Sequence, residues 1–574
     1  MQEQALGRLT RGAATAFVIS VLAVYPLYID RFSNLGLTKF SGVCTLFVLW
    51  IFALGACALV GGRAVRGRFA RRGKYPDATL LGLAAFIITS LLSTCISLSP
   101  VSSLWGLGSY YGGLAMLLFT AGGYLLVRAY ADKADFSLIS FCVGITVMIV
   151  PLLYACNIFN IDLIGTYANT AVVERAQFFS TLGQKDFNAG YLNVALPLAF
   201  WAFLEAKGWR RTLLFGVPAA FGTLALAVVD SEGLLLGVSA AIMLVICHRS
   251  FGERQFRRMA VLGMAFFGWA AWMHHMRATV YTQGGTSVLS EFGAPVIAVP
   301  AILLCAAIWL GMTALALHRR RAAAAGGQQA AELPLYLLGR AVTIILLSVL
   351  VLLFLLANFM PGFPSLGKLD GYFVFNDDWG TYRGTAWKAT AAAYADAPLW
   401  RKLFGYGIGT LHTVLSDWAG AGMSARLATF YAAHNEYLEQ LIATGLVGLL
   451  AWLSFALSHL KRGLQNWGRN PAVAPIVLAL ASYLMQAAVS IRVSMIFPEV
   501  MLLFGLLAAV TAPTPAPAPL PEKQPGKAKK HKKPAAAPNP LRARVLRYAK
   551  VSLAAVLSML IAAPLSHILL WFLF

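Results

Sequence analysis

Runs of apolar residues recur along the 574-residue chain, separated by short polar stretches. A helix needs about 20 mostly apolar residues to cross the hydrocarbon core of a bilayer. About fifteen runs reach or approach that length. They lie at 13–29, 41–61, 78–97, 113–129, 138–156, 189–204, 213–229 and 234–247, then at 259–274, 294–317, 335–358, 438–457, 472–489, 497–510 and 551–574. Several are short, which suits tilted or partly re-entrant helices. The pattern predicts an all-α polytopic integral membrane protein with about 14 or 15 transmembrane helices.

Composition narrows the class. The chain is 59% hydrophobic and 12% charged, with mean hydropathy +0.70, whereas a soluble chain carries about 25% charged residues. An ordinary soluble enzyme is excluded. The net charge of +23 is concentrated at 63–74, 249–258, 319–321 and 523–533, between apolar runs. That is the footprint of cytoplasmic loops facing membrane lipids, and no nucleic-acid partner is expected. With the N-terminus inside, alternate loops collect roughly three quarters of the 46 Lys and Arg residues. The opening MQEQALGRLTRG has no small-residue cleavage site after it, so a retained first helix is expected. All seven cysteines lie in apolar runs without metal-ligand spacing and read as packing residues.

This alternation divides the chain. Residues 1–112 form N-terminal helices, and 113–358 form central helices with a first outer loop at 159–187. A long outer loop occupies 359–433, and 434–512 hold a motif-bearing helix and its successors. The Pro-, Ala- and Lys-rich segment 513–549 reads as a disordered basic linker attracted to anionic head groups, before a last helix at 550–574. Loops on a rigid scaffold are where chemistry tends to sit.

The most specific motif begins where the long loop re-enters the membrane: His434, Asn435, nine residues, Gly445, two residues, Gly448. An imidazole at a helix mouth has an ordinary pKa near 6.5, which suits general-base work. Gly445 and Gly448, three apart, would let a neighbouring helix approach. The motif resembles the signature of the O-antigen ligase and polymerase superfamily. Upstream, Tyr382-Arg383-Gly384-Thr385-Ala386-Trp387, Pro398-Leu399-Trp400 and Gly405-Tyr406-Gly407-Ile408-Gly409 are similar to the stretch preceding the His in that superfamily. So is the end of the first outer loop, Glu174-Arg175 and then Ser180-Thr181-Leu182-Gly183-Gln184-Lys185-Asp186-Phe187-Asn188. Weaker echoes are the stretch 105–113 and the turn Asp230-Ser231-Glu232-Gly233, where relatives carry Ser-Arg-Gly.

The resemblance implies a GT-C-like membrane glycosyltransferase in the bacterial cytoplasmic membrane, with its site on the outer face. The donor would be a polyprenyl-diphosphate-linked glycan and the acceptor a hydroxyl on lipid, glycan or protein. Neither a metal nor another cofactor is implied, and the configuration at the anomeric carbon would invert. His434 would be the base and Arg383, with its planar fork of donors, the diphosphate clamp. Arg175, Lys185, Tyr382, Trp387, Asn435, Glu436 and Tyr437 would contact substrate, while Gly405, Gly407, Gly445 and Gly448 would be structural. Lys185 could instead pair with Asp186. A ligase is the first expectation, with a polysaccharide polymerase or a protein O-oligosaccharyltransferase as alternatives. A lipid-linked glycan transporter is the rival of another class.

Other residues have plainer expectations. His274 and His275 should be interfacial, and Arg492 should snorkel or cap a helix. Asp377, Asp378 and Asp396 could orient His434 or bind a metal, although no carboxylate spacing resembles a metal site.

Overall fold

The computed structural model describes residues 2–30, 35–60, 77–108, 110–165, 167, 175, 178–280, 288–325, 332–512 and 540–573. The basic stretches 63–74 and 523–533, Glu174 and most of the basic linker lie outside the described residues.

Every apolar run has a helix. Among the described residues, ten helices are long and apolar enough to cross a membrane, and four shorter apolar ones lie at Leu114–Tyr130, Glu232–Cys247, Val473–Val489 and Phe497–Val510. Glu253–Thr279 is also long but carries charged residues in its first turns. The protein is an all-α, multi-pass membrane protein. Its last helix is Pro540–Leu573, so the ten residues 540–549, expected to be linker, are helical instead. They begin with Pro540 at the helix start and run without a break into the apolar residues beyond them.

Helix pairing follows apolar content. Lys185–Leu204 and Phe497–Val510 are buried on nearly every face, packed on Val473–Gln486 and Leu114–Tyr130 respectively. Pro295–Ala324 and Leu335–Phe359 are the opposite case, with 6% and 0% of their most apolar windows buried. A helix apolar all round and unburied by protein faces lipid.

The bundle has two distinct ends. At one, Asp77 joins Arg128 at 2.9 Å and Arg462 at 2.7 Å, and Arg319 pairs with Glu253. Burial pushes the Asp77 carboxyl up, but Thr79, Arg128 and the Leu80 N–H hold it well below the usual carboxylate range. The other end carries the starts of Lys185–Leu204, Glu232–Cys247 and Glu436–Gln465. There, residues 361–433 fold into the short helices Asp370–Phe373, Trp379–Asp396, Leu399–Phe404 and Leu411–Ala419. Trp379–Asp396 and Leu411–Ala419 share a small core of Ala389, Ala393, Leu411, Val414 and Leu415 with Ile442 of the motif helix.

The motif helix is broken. Gly445 has φ 71° and ψ −177° within Glu436–Gln465, which releases carbonyls of the preceding turn. The loop takes them: Tyr406 N–H donates to Ile442 O at 3.0 Å and Gly407 N–H to Ala443 O at 2.9 Å. A Cβ on Gly445 would lie 2.3 Å from the Leu403 carbonyl, and one on Gly405 would lie 2.2 Å from Ala443 O. Gly445 therefore allows a close approach by the short helix Leu399–Phe404 of the loop, and not by a membrane-spanning helix. Gly448 comes nearest the side chain of Thr444 in its own helix and then Thr89 of Ala78–Cys95.

Gly445→Ala forces a side chain into a backbone region nearly closed to L-residues and into that loop. It should cost on the order of 3 kcal/mol, seen as a lowered melting midpoint of the detergent-solubilised protein by circular dichroism. A midpoint equal to the parent's would show that the break tolerates a Cβ.

Candidate active site

His434 lies between the end of the loop core and the motif helix, half-buried, with its ring edge-on to Phe430 at 5.9 Å. Its φ of 49° is left-handed, which costs a non-glycine residue on the order of 1 kcal/mol. Its neighbours hold that conformation. Trp387 Nε1 donates to Ala433 O at 2.9 Å, and the Ala433 N–H donates to Glu439 Oε2 at 2.8 Å. On the other side, Asn435 caps the helix, its Oδ1 accepting from the N–H groups of Tyr437 and Leu438 at 3.0 and 3.1 Å.

Arg383 follows Gly380, Thr381 and Tyr382, all with positive φ. Its side chain is 11% exposed and faces Asp186 at 3.9 Å and Glu232 at 3.7 Å. Both distances exceed hydrogen-bond range. Among the described residues the guanidinium makes ion pairs but donates no hydrogen bond. Asp186 accepts from Ser231 Oγ at 2.7 Å, while Lys185 pairs with Asp230 at 3.4 Å and not with Asp186. The starts of Lys185–Leu204, Glu232–Cys247 and Trp379–Asp396 thus bring Lys185, Asp186, Asp230, Glu232 and Arg383 together.

His434 is in the field of this cluster. Burial, then the positive charge of Arg383, push its imidazole below the ordinary value, and Asp186 opposes them. A depressed pKa leaves the ring neutral at neutral pH and able to accept a proton. Asp230 is pushed up by burial, with Lys185 pulling the other way and Glu232 adding to the rise.

Other expected site residues take different parts. Arg175 rests on Asn160 at 3.4 Å and over the ring of Tyr167. Tyr382 is covered by Arg426, 4.0 Å above its ring. Glu436 is buried and accepts from Arg492 Nε and from Tyr483 Oη, and Tyr437 Oη donates to Leu484 O. Asn435, Glu436 and Tyr437 each take part in fixing the helix start. Asp377 pairs with Lys388, Asp378 with Arg426, and Asp396 accepts from Trp418, so none of the three orients His434. Among the described residues no group of three His, Cys, Asp or Glu side chains is arranged to hold a metal ion.

Arg492 is the clearest departure from expectation. It neither snorkels nor caps: its guanidinium lies 4.6 Å from the Phe497 ring, 4.8 Å from Trp452 and 5.5 Å from Phe86. Beside it a cavity of about 50 Å³ is lined by Tyr110, Tyr431, Glu436, Glu439, Gln440 and Arg492. Tyr110 connects this cavity to the cluster, because burial and then the charges of Glu439 and Asp186 raise its pKa. Sequence reasoning also passed over Arg277, whose charge acts on Asp230 and whose Nε and Nη2 are buried without a partner among the described residues.

No family model matches the chain, and no curated protein matches it.

Arg383→Gln removes a positive neighbour, so the His434 imidazole should titrate closer to its ordinary value. Carbethoxylation of His434, followed by mass spectrometry across pH, reads the midpoint, since only the neutral ring reacts. An unmoved midpoint would place the guanidinium outside the imidazole's field.

Proposed function

We propose that the protein is a metal-independent, inverting glycosyltransferase that moves a glycan from a polyprenyl diphosphate to an acceptor hydroxyl, as an O-antigen ligase does. The observation that carries this reading is the pairing of two groups. A largely buried guanidinium donates no hydrogen bond among the described residues and stands beside an imidazole whose environment lowers its pKa. One suits the departing diphosphate and the other the acceptor proton.

The chemistry balances without a covalent intermediate. The acceptor oxygen attacks the anomeric carbon as its proton passes to His434. The bond from that carbon to the diphosphate oxygen breaks, and its electrons leave with the polyprenyl diphosphate. Arg383 and Lys185 offset the charge that builds there. The lipid tail would run down the bundle side, with Tyr382 and Trp387 in the loop over the sugar.

Placement on the outer face of a bacterial cytoplasmic membrane rests on charge. The basic stretches 249–258 and 319–321 lie at the end opposite His434, joined by the Arg319–Glu253 pair. Lys and Arg mark the cytoplasmic side.

One observation favours a second reading. Lys39 and Glu499 are fully buried, and neither Glu499 carboxylate oxygen has a hydrogen-bond partner among the described residues. Ionisable groups inside a membrane bundle often mark a transport path. Purified protein incubated with a defined diphosphate-linked donor and several acceptors separates the readings. A capped foreign acceptor indicates a ligase, chain elongation a polymerase, a modified Ser or Thr a protein transferase, and relocation without bond formation a transporter.

His434→Ala should lower transfer by about a hundredfold or more at unchanged expression. Arg383→Lys should also lose most activity, because Lys keeps the charge but not the fork. Parental turnover in His434→Ala would remove the imidazole from the mechanism.

A further inference from the structure

The left-handed turn at His434 needs an explanation beyond the helix cap, because Asn435 acts only on residues after it. In a capping box, a Glu or Gln at the third helical position reaches back to the N–H of the capping residue. Here the third position is Leu438, and it cannot do so. Glu439, one residue further on, reaches past the cap instead and takes the N–H of Ala433. Trp387 holds the carbonyl of that same residue. The residue preceding His434 is therefore fixed at both its backbone groups, by one side chain from the motif helix and one from the loop.

From these contacts we propose that Glu439 is a positioning residue for His434, its carboxylate setting the backbone that aims the imidazole at the Arg383–Asp186 pair. The proposal rests on the transferase reading for its consequence but not for its geometry. Glu439 also lines the cavity, where it faces Tyr110 from the loop before Leu114–Tyr130, Tyr431 from the loop before His434 and Arg492 from the segment before Phe497. Glu436 and Gln440 of its own helix complete that wall.

Two substitutions separate geometry from charge. Glu439→Gln keeps an acceptor oxygen at the same reach, and Glu439→Leu removes it. In the full-length protein, Glu439→Gln should stay within about threefold of the parent in kcat. Glu439→Leu should lose about a hundredfold in kcat with donor KM little changed, as a misplacement near 1 Å can do. A partly inactive preparation would give a similar kcat, so a second readout is needed. The carbethoxylation midpoint of His434 should move up in Glu439→Leu, toward the ordinary imidazole value, and stay in place in Glu439→Gln. That measurement needs no turnover, so it tests the positioning role even if no acceptor is found. A parental midpoint in Glu439→Leu overturns the proposal, as does equal damage from Gln and Leu. An active His434→Ala would overturn the transferase reading alone.

Discussion

The buried ion pair between Glu436 and Arg492 holds together the end of the bundle on which everything else at the site is mounted. Taking two charges out of water costs several kcal/mol per ion, and attraction alone does not always recover it. Here part of that cost is offset, although Nη2 of Arg492 is buried without a hydrogen-bond partner among the described residues. Glu436 accepts a second hydrogen bond from Tyr483 at 2.7 Å, and it stands in the first turn of its helix, where negative charge is favoured. The flat faces of the Arg492 guanidinium are met by Phe86, Trp452 and Phe497. Four helices are fixed relative to one another by this arrangement. His434 is two residues from its centre, so the imidazole inherits that rigidity.

The helices were legible because length and apolarity alone define a membrane span, and a run of 20 such residues has few other readings. The site was legible only where one residue type has a demanding job. Arg383 and His434 stood out by chemistry, and the structure sets them in one electrostatic cluster. What could not be read were the partners. Asp186 and Glu232 meet Arg383 from the starts of two separate helices, and Arg492 finds its aromatic faces on three. No spacing within the chain encodes such meetings. Asn435, Glu436 and Tyr437 tether the helix start through contacts of the same kind, because polar residues there cap and tether as readily as they bind. Lys39 and Glu499 did leave a signal, as charges inside or beside apolar runs.

The cluster's charge balance bears on how it would treat an anion. Arg383, Lys185 and Arg277 face Asp186, Asp230 and Glu232, so the cations already have counterions. Without them, three positive groups in a half-buried pocket would repel one another and resist desolvation. Yet the carboxylates stand 3.7 and 3.9 Å from Arg383, too far for hydrogen bonds. They neutralise the guanidinium without occupying its donors. For the proposed diphosphate, binding would be an exchange of counterions, weaker than binding to bare cations but more selective for a ligand that fits the fork.

Backbone strain shows where such selectivity is anchored. Tyr111, Thr381, Tyr382 and His434 all adopt positive φ, and Gly445 breaks the motif helix. In lipid, irregular backbone survives only where protein or an enclosed cavity satisfies its polar groups. Each irregularity here lies where loop meets helix end, and the Gly445 break is closed by N–H groups of Tyr406 and Gly407. The strained segments are thus held by deeply packed helices. Relaxing His434 would mean releasing Ala433 from both Trp387 and Glu439 at once. Because those two side chains belong to different elements, no small local motion can free it.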